Sequence, residues 1–251
     1  CPSCGGDRLR PLGIGTERVE AEIQGLFPSA RPVRMDRDTT TRKDSHRQLL
    51  GAFRRGEANI LIGTQMVAKG LDFPNVTLVG VVSADTALNV PDFRASERAF
   101  QLLSQVAGRA GRAERPGTVL IQTFNPTHEA VVAAANHDYE GFYAREIEYR
   151  RELGYPPFAR LANLVCGDED GSAADRRLRS VAAVLEGTPD IRLLGPAPCP
   201  LSRLREKYRH HLLIKCFEAR DPARIVGEAL ERIPARERAL ISVDIDPISL
   251  A

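Results

Sequence analysis

The run Gln105-Val106-Ala107-Gly108-Arg109-Ala110-Gly111-Arg112 concentrates residue types that phosphoryl chemistry uses. Arg109 and Arg112 stand three apart and so fall on one side of a helix end. Gly108 and Gly111 let the backbone approach a ligand closely. Guanidinium forks match phosphate oxygens, and an arginine presented from a facing lobe stabilises charge in phosphoryl transfer. Taken alone, the same spacing also fits a solvated helix terminus.

A second run, Thr64-Gln65-Met66-Val67-Ala68-Lys69-Gly70-Leu71-Asp72-Phe73-Pro74, mixes hydroxyl, amide, ammonium and carboxylate groups in one loop. That mixture suits a phosphate backbone and a nucleotide; the alternative is a polar loop that caps the next helix. A third feature is basic. Arg203, Arg205, Lys207 and Arg209 alternate. In one extended strand they would share a face at roughly 6.6 Å intervals. Such a row invites a nucleic-acid backbone or an acidic tail, with Tyr208 placed to stack. The alternative is a charged edge strand that resists aggregation.

Cys1-Pro2-Ser3-Cys4-Gly5-Gly6 has the shape of a zinc knuckle, in which two thiolates grip one side of a metal that wants four ligands. It reads either as half of a zinc site completed by residues preceding Cys1, or as two free thiols. Cys166, Cys199 and Cys216 lack ligand spacing and read as small core residues. Five sparse cysteines do not make a disulfide framework, which points to a reducing compartment. His210 and His211 have no third ligand nearby in sequence.

These residues need elements to hold them. Val19, Ile23 and Leu26 share one face of a helix that Thr16 can cap and Pro28 stops. A short strand is expected over 31–35 and a helix over 41–55. Residues 58–63 and 76–82 are continuous apolar runs, as in buried parallel strands. Ala99, Leu102, Leu103 and Val106 mark a helix over 95–107, and 117–124 reads as a strand. The alternation predicts a doubly wound α/β sheet. Ligands of such sheets bind beyond the carboxyl ends of strands, where the run from Thr64 begins.

Residues 127–153 read as a helical connector, and Gly154-Tyr155-Pro156-Pro157-Phe158 cannot continue a helix. Beyond it, strands over 161–166, 211–216 and 240–245 and helices over 173–185 and 222–233 predict a small α+β domain. We expect a four-stranded sheet with two helices, and a Pro-rich turn over 195–200. The 251 residues favour two domains, and 43% hydrophobic with 27% charged residues suits a packed core. No apolar run nears the roughly 18 residues of a membrane span, and no signal peptide is visible. The net charge of +2 excludes little.

Gly63-Thr64 with Lys69-Gly70-Leu71-Asp72, followed by the run from Gln105 to Arg112, resembles motifs V and VI of superfamily 2 helicases. Several further runs resemble one family within that group, primosomal protein N′ (PriA). They are Gly13-Ile14-Gly15-Thr16-Glu17-Arg18-Val19, Met35-Asp36-Arg37-Asp38-Thr39-Thr40, Asp92-Phe93-Arg94-Ala95-Ser96-Glu97-Arg98, Leu153-Gly154-Tyr155-Pro156-Pro157-Phe158 and Val243-Asp244-Ile245-Asp246-Pro247. The likeness covers essentially the whole chain.

The resemblance implies a RecA-like helicase lobe 2 over 7–126, a connector over 127–153 and a DNA- and partner-binding domain over 154–251. Residues 1–6 would end a zinc-binding, cysteine-rich insert, with Cys1 and Cys4 as metal ligands. It implies an ATP-dependent 3′-to-5′ DNA helicase that recognises stalled or branched forks and restarts replication through primosome assembly. Arg109 and Arg112 would reach the phosphates of magnesium-bound ATP. Gln105 and Asp72 would couple nucleotide to DNA, with Gly70 and Gly108 beside the nucleotide. Thr64 and Lys69 would lie near the DNA strand. Implied partners are forked and single-stranded DNA, other primosome proteins, and the acidic tail of single-stranded-DNA-binding protein near Lys207 and His211. The implied place is the bacterial cytoplasm, at the nucleoid, with no membrane. Leu71 departs from the pattern, where relatives often carry His, and puts that one contact in doubt.

No GxxxxGK[ST] loop and no DExH box occur in the sequence. Those belong to a first motor lobe, so this chain alone is expected not to hydrolyse ATP. The competing reading is a non-catalytic, fork-binding scaffold whose motor has degenerated. The intact Arg109 and Arg112 favour the enzyme.

Overall fold

The computed structural model describes residues 15–36, 45–64, 75–108, 117–218 and 220–250, with backbone alone for Ser45 and His46. They form two compact units. One holds residues up to 89 and 97–139; the other holds 90–96 and 140–251.

In the first unit, α1 (Thr16–Leu26) precedes β1 (Pro32–Met35), and α2 (Ser45–Arg54) precedes β2 (Ile60–Gly63). The two strands pair in parallel, Met35 opposite Gly63. β3 (Leu78–Val81) pairs in parallel with β4 (Thr118–Ile121), and α3 (Asp85–Leu88) and α4 (Ala95–Ala107) lie between them in sequence. Parallel strands joined through helices are the expected α/β architecture. Ala99, Phe100 and Leu103 bury one face of α4, as their spacing predicts.

Thr16 does not cap α1. Gly15 takes the cap position, and the Thr16 hydroxyl donates instead to Asp36 Oδ2 at 2.6 Å. The expected connector helix is two helices, α5 (Glu129–Ala135) and α6 (Tyr139–Leu153). His137 breaks the run with φ of 55°, a left-handed conformation that no helix interior accepts. Gly154 ends α6 with φ of 65°. The Tyr155 N–H reaches Arg150 O at 2.8 Å and the Gly154 N–H reaches Arg151 O at 3.2 Å, the bond pair of a Schellman cap.

The second unit carries β5 (Arg160–Asp168), α7 (Gly171–Leu185), β6 (Ile191–Leu204), β7 (Lys207–Cys216), α8 (Pro222–Glu231), α9 (Ala235–Arg238) and β8 (Ile241–Ile245). The strands lie in the order β6-β7-β5-β8, and every neighbouring pair is antiparallel. This is the split β-α-β arrangement, a four-stranded sheet with two long helices as predicted. Asp170 caps α7 by accepting from Ser172 N at 2.9 Å, and Asp221 caps α8 by accepting from Ala223 N at 3.2 Å. Alternation puts Ala162, Leu164 and Cys166 of β5, and Leu212, Ile214 and Cys216 of β7, on the helix-covered face. They pack with Leu178 and Val181 of α7 and Val226 and Ala229 of α8.

The Pro-rich stretch 195–200 is not a turn. β6 runs straight through it, with register shifts between Leu194 and Ala197 and again between Pro198 and Arg203. An edge strand tolerates prolines because their missing N–H groups face no partner.

Candidate functional site

The two runs that resemble helicase motifs are described only in part. Thr64 is exposed and directly follows β2, at the carboxyl end of a parallel pair. Lys69, Gly70 and Asp72 lie outside the described residues, as do Arg109, Arg112, Cys1 and Cys4. Gln105 is exposed on the last turn of α4. The Gly108 N–H donates to Ser104 O at 3.1 Å and closes that turn.

Two carboxylates that composition did not single out brace these strand ends. Asp36, only 7% exposed, takes the Thr16 hydroxyl and pairs with Arg34 at 3.1 Å; Arg34 also reaches Glu17 at 3.1 Å. Two runs of the family resemblance thus meet at the end of β1. Asp85, 6% exposed, accepts from Thr123 Oγ1 at 3.0 Å and from Phe124 N at 3.1 Å. It ties the ends of β3 and β4 together.

The basic segment is a hairpin, not one strand. Arg205 and Glu206 have φ of 50° and 65° and form the two-residue turn between β6 and β7. Both positions in the left-handed region mark a turn that matches strand twist. Arg203 stands opposite Tyr208, and Leu204 opposite Lys207. The four cations therefore do not share one face. Arg203 lies with Tyr208, its guanidinium 5.3 Å from the ring centroid, and pairs with Glu206 at 2.7 Å. Lys207 and Arg209 point to the opposite face, by alternation along β7. Arg205, Lys207 and Arg209 make no ion pair among the described residues, and Arg205 and Lys207 are exposed.

Tyr208 and His210 line a cavity of about 490 Å³ with Asp170, Gly171, Ser172, Asp175 and Arg176 at the start of α7. His211, on the Lys207 face, is half-buried, and burial pushes its pKa down, with His210 and Arg209 adding to the effect. Cys166, Cys199 and Cys216 are buried free thiols. Among the described residues no three His, Cys, Asp or Glu side chains cluster to hold a metal. Among them, too, no helix is long and apolar enough to cross a membrane.

Comparison with known families agrees with this architecture. Residues 18–114 match the helicase conserved C-terminal domain, and 151–248 match the primosomal protein N C-terminal domain. A helicase lobe followed by that second domain defines the class. Over 98% of its length the chain is 46% identical to the replication restart protein PriA of Bacillus subtilis (strain 168). It is 42% identical to that of Synechocystis over its full length, and 37% identical to that of Haemophilus influenzae, again over its full length. The chain belongs to the PriA family of replication restart proteins. It spans about a third of the length of these relatives, covering 31%, 30% and 35% of them.

Proposed function

We propose that this chain supplies the second motor lobe and the C-terminal DNA-binding domain of an ATP-dependent 3′-to-5′ DNA helicase. The helicase acts on stalled or branched replication forks in the bacterial cytoplasm, at the nucleoid, and reloads the replication machinery with other primosome proteins. The reading rests on one observation above all. Helix α4 ends with Gln105 exposed and leads through Gly108 into Arg109, within the stretch that matches a helicase lobe.

Magnesium-bound ATP would supply the energy, and Arg109 and Arg112 would neutralise charge on its phosphates. Asp72 and Gly70 would lie beside the same nucleotide, and Thr64 and Lys69 along the DNA strand. Cys1 and Cys4 would donate two thiolates to zinc. The Arg205–Arg209 hairpin would hold the DNA backbone or an acidic protein tail such as that of single-stranded-DNA-binding protein, because Arg205 and Lys207 are exposed and make no ion pair among the described residues.

The test is ATP turnover by the full-length protein with and without forked DNA. Fork-stimulated turnover is expected. Fork binding without any turnover would instead make the protein a scaffold, and the basic hairpin its main working part.

A further inference from the structure

In the second unit, helices α7 and α8 cover one face of the sheet. The other face carries Asn163 and Val165 of β5, Arg209 and His211 of β7, and Ser242 and Asp244 of β8. Their registers put Asn163 beside Asp244, and Val165 between Ser242 and His211. A cavity of about 220 Å³ lies on this face. Asn163 lines it, although only 7% of the residue is exposed. Its Oδ1 has no hydrogen-bond partner among the described residues. A buried amide oxygen without a partner costs free energy, and almost all such groups in folded chains are satisfied.

Asp244 lines the same cavity and makes no side-chain hydrogen bond or ion pair among the described residues. Two residues on, in the same closing run, Asp246 is held by Arg160 at 2.6 Å. The fold accounts for Asp246 and not for Asp244. Val165, Leu201 and Leu250 supply aliphatic walls, Ser242 a hydroxyl and Arg209 a guanidinium. A bare anion does not suit this lining, because Asp244 repels it. A purely apolar ligand would leave Asn163 and Asp244 without partners. A flat heterocycle with both N–H donors and acceptors along its edge satisfies them, while the aliphatic side chains pack on its faces. The volume is below the roughly 300–1,000 Å³ of sites that enclose a drug-sized molecule, which suits a single ring system. Along β7, exposed Lys207 precedes Arg209 on the same face, at an interval of roughly 6.6 Å. Positive charge therefore leads from the hairpin to the cavity.

We propose that this cavity holds one unpaired base of a DNA strand, a base whose edge carries an exocyclic amino group, while Arg209 holds the adjoining phosphate. Cytosine matches best, because its N4 amino group is a donor that a carboxylate accepts from. Thymine has no amino group to offer Asp244. The site rests on the reading of the second unit as DNA-binding. It adds a base preference, which cations along a phosphate backbone do not supply.

The test is fluorescence anisotropy on the full-length protein, without ATP, with two forks. They differ only in an unpaired arm of deoxycytidines or of deoxythymidines. Wild type is expected to bind the deoxycytidine arm about tenfold more tightly. Asp244→Ala, at an exposed side chain, is expected to bring the two affinities within about twofold of each other. Asn163→Leu, which keeps the volume and removes the amide, should do the same; Asp244→Ala carries the test if that variant fails to fold. In both, affinity for the deoxythymidine arm should stay within about twofold of wild type, and Arg209→Ala should weaken both arms alike. Equal affinity of wild type for the two arms, or a preference that survives in Asp244→Ala, overturns the pocket and leaves the motor reading standing. Free deoxycytidine monophosphate, followed by saturation-transfer NMR, separates the sources of the base. Binding of the free nucleotide that Asp244→Ala abolishes, with no preference between arms, would make the cavity a nucleotide site and overturn the strand. A wild-type protein that binds neither fork overturns the DNA-binding reading, and the pocket with it.

Discussion

Lys215 places its ammonium 3.4 Å from the centre of the Tyr155 ring and donates to Leu153 O at 2.8 Å, with only 3% of the residue exposed. Burial, with the charge of Arg192 beside it, lowers its pKa to about 8. The ring and the carbonyl favour the ammonium, but the loss of water outweighs them.

A pH dependence of stability follows. The native state releases the Lys215 proton near pH 8, and the unfolded chain releases it near the usual lysine value of about 10.5. Between these the unfolded state binds more protons, so Lys215 makes stability rise with pH there. Below that window the native state carries the full cost of a buried ammonium. Tyr155 keeps its proton longer than usual, because burial raises its pKa. The buried thiols of Cys166, Cys199 and Cys216, pushed up by burial, act in the opposite sense. The measurement is therefore the difference in urea midpoint between wild type and Lys215→Met. Wild type should gain on the variant as pH rises above about 8; a constant difference would mean that Lys215 stays protonated in the native state.

The hairpin makes an electrostatic prediction. Arg205 and Lys207 are exposed and make no ion pair among the described residues, so their joint replacement by Ala should weaken fork binding at low salt. It should also flatten the slope of log affinity against log salt by about 1.4 to 1.8, one phosphate contact per cation. Arg203→Ala should do less, because Arg203 is already paired with Glu206 at 2.7 Å. Glu206→Gln should tighten binding by releasing that guanidinium. Unchanged affinity at low salt in the double variant would leave the tip as a solvated edge.

Much of this architecture is legible in the sequence because burial repeats with a period. The apolar face of α4 shows in Ala99 and Leu103, and the core strand β5 in a continuous run. The hairpin is not legible. Its turn is Arg205-Glu206, without the Asn or Gly that usually announces two left-handed residues, so four alternating cations read as one strand. The stretch 195–200 misleads in the other direction, since its prolines suit an edge strand as well as a turn. The stack of Phe93 on Tyr155, ring centroids 5.3 Å apart, is invisible for a different reason: it joins distant segments, and nothing local to either marks its partner. The runs that resemble motifs V and VI stand out by residue type, yet most of their side chains lie outside the described residues.

Gly154 shows what a signature glycine does. It holds φ of 65° at the end of α6, and an added Cβ would fall 2.7 Å from Phe217 Cε1. Left-handed strain and a ring displacement then add, so Gly154→Ala should destabilise the protein by roughly 2–3 kcal/mol, measured as a shift in denaturant midpoint. The loss should also disturb Tyr155, whose N–H closes the cap on Arg150 O. A shift below about 0.5 kcal/mol would mean that the ring of Phe217 swings aside freely.

Gly108 is the contrasting case. It has no left-handed φ, and among the described residues an added Cβ would meet nothing nearer than Ser104 O at 3.6 Å, an ordinary contact. The proposed function gives it another role, close approach by a ligand in the same run as Arg109. Gly108→Ala should therefore fold with an unchanged denaturant midpoint while lowering ATP turnover in the full-length protein. Arg109→Ala should bind forked DNA nearly as wild type does and lose turnover by about a thousandfold, as when an arginine is withdrawn from a phosphoryl-transfer site. Normal turnover in both variants would remove the run from Gln105 to Arg112 from the chemistry. Loss in Arg109→Ala with normal turnover in Gly108→Ala would keep the arginine and leave the glycine without a role.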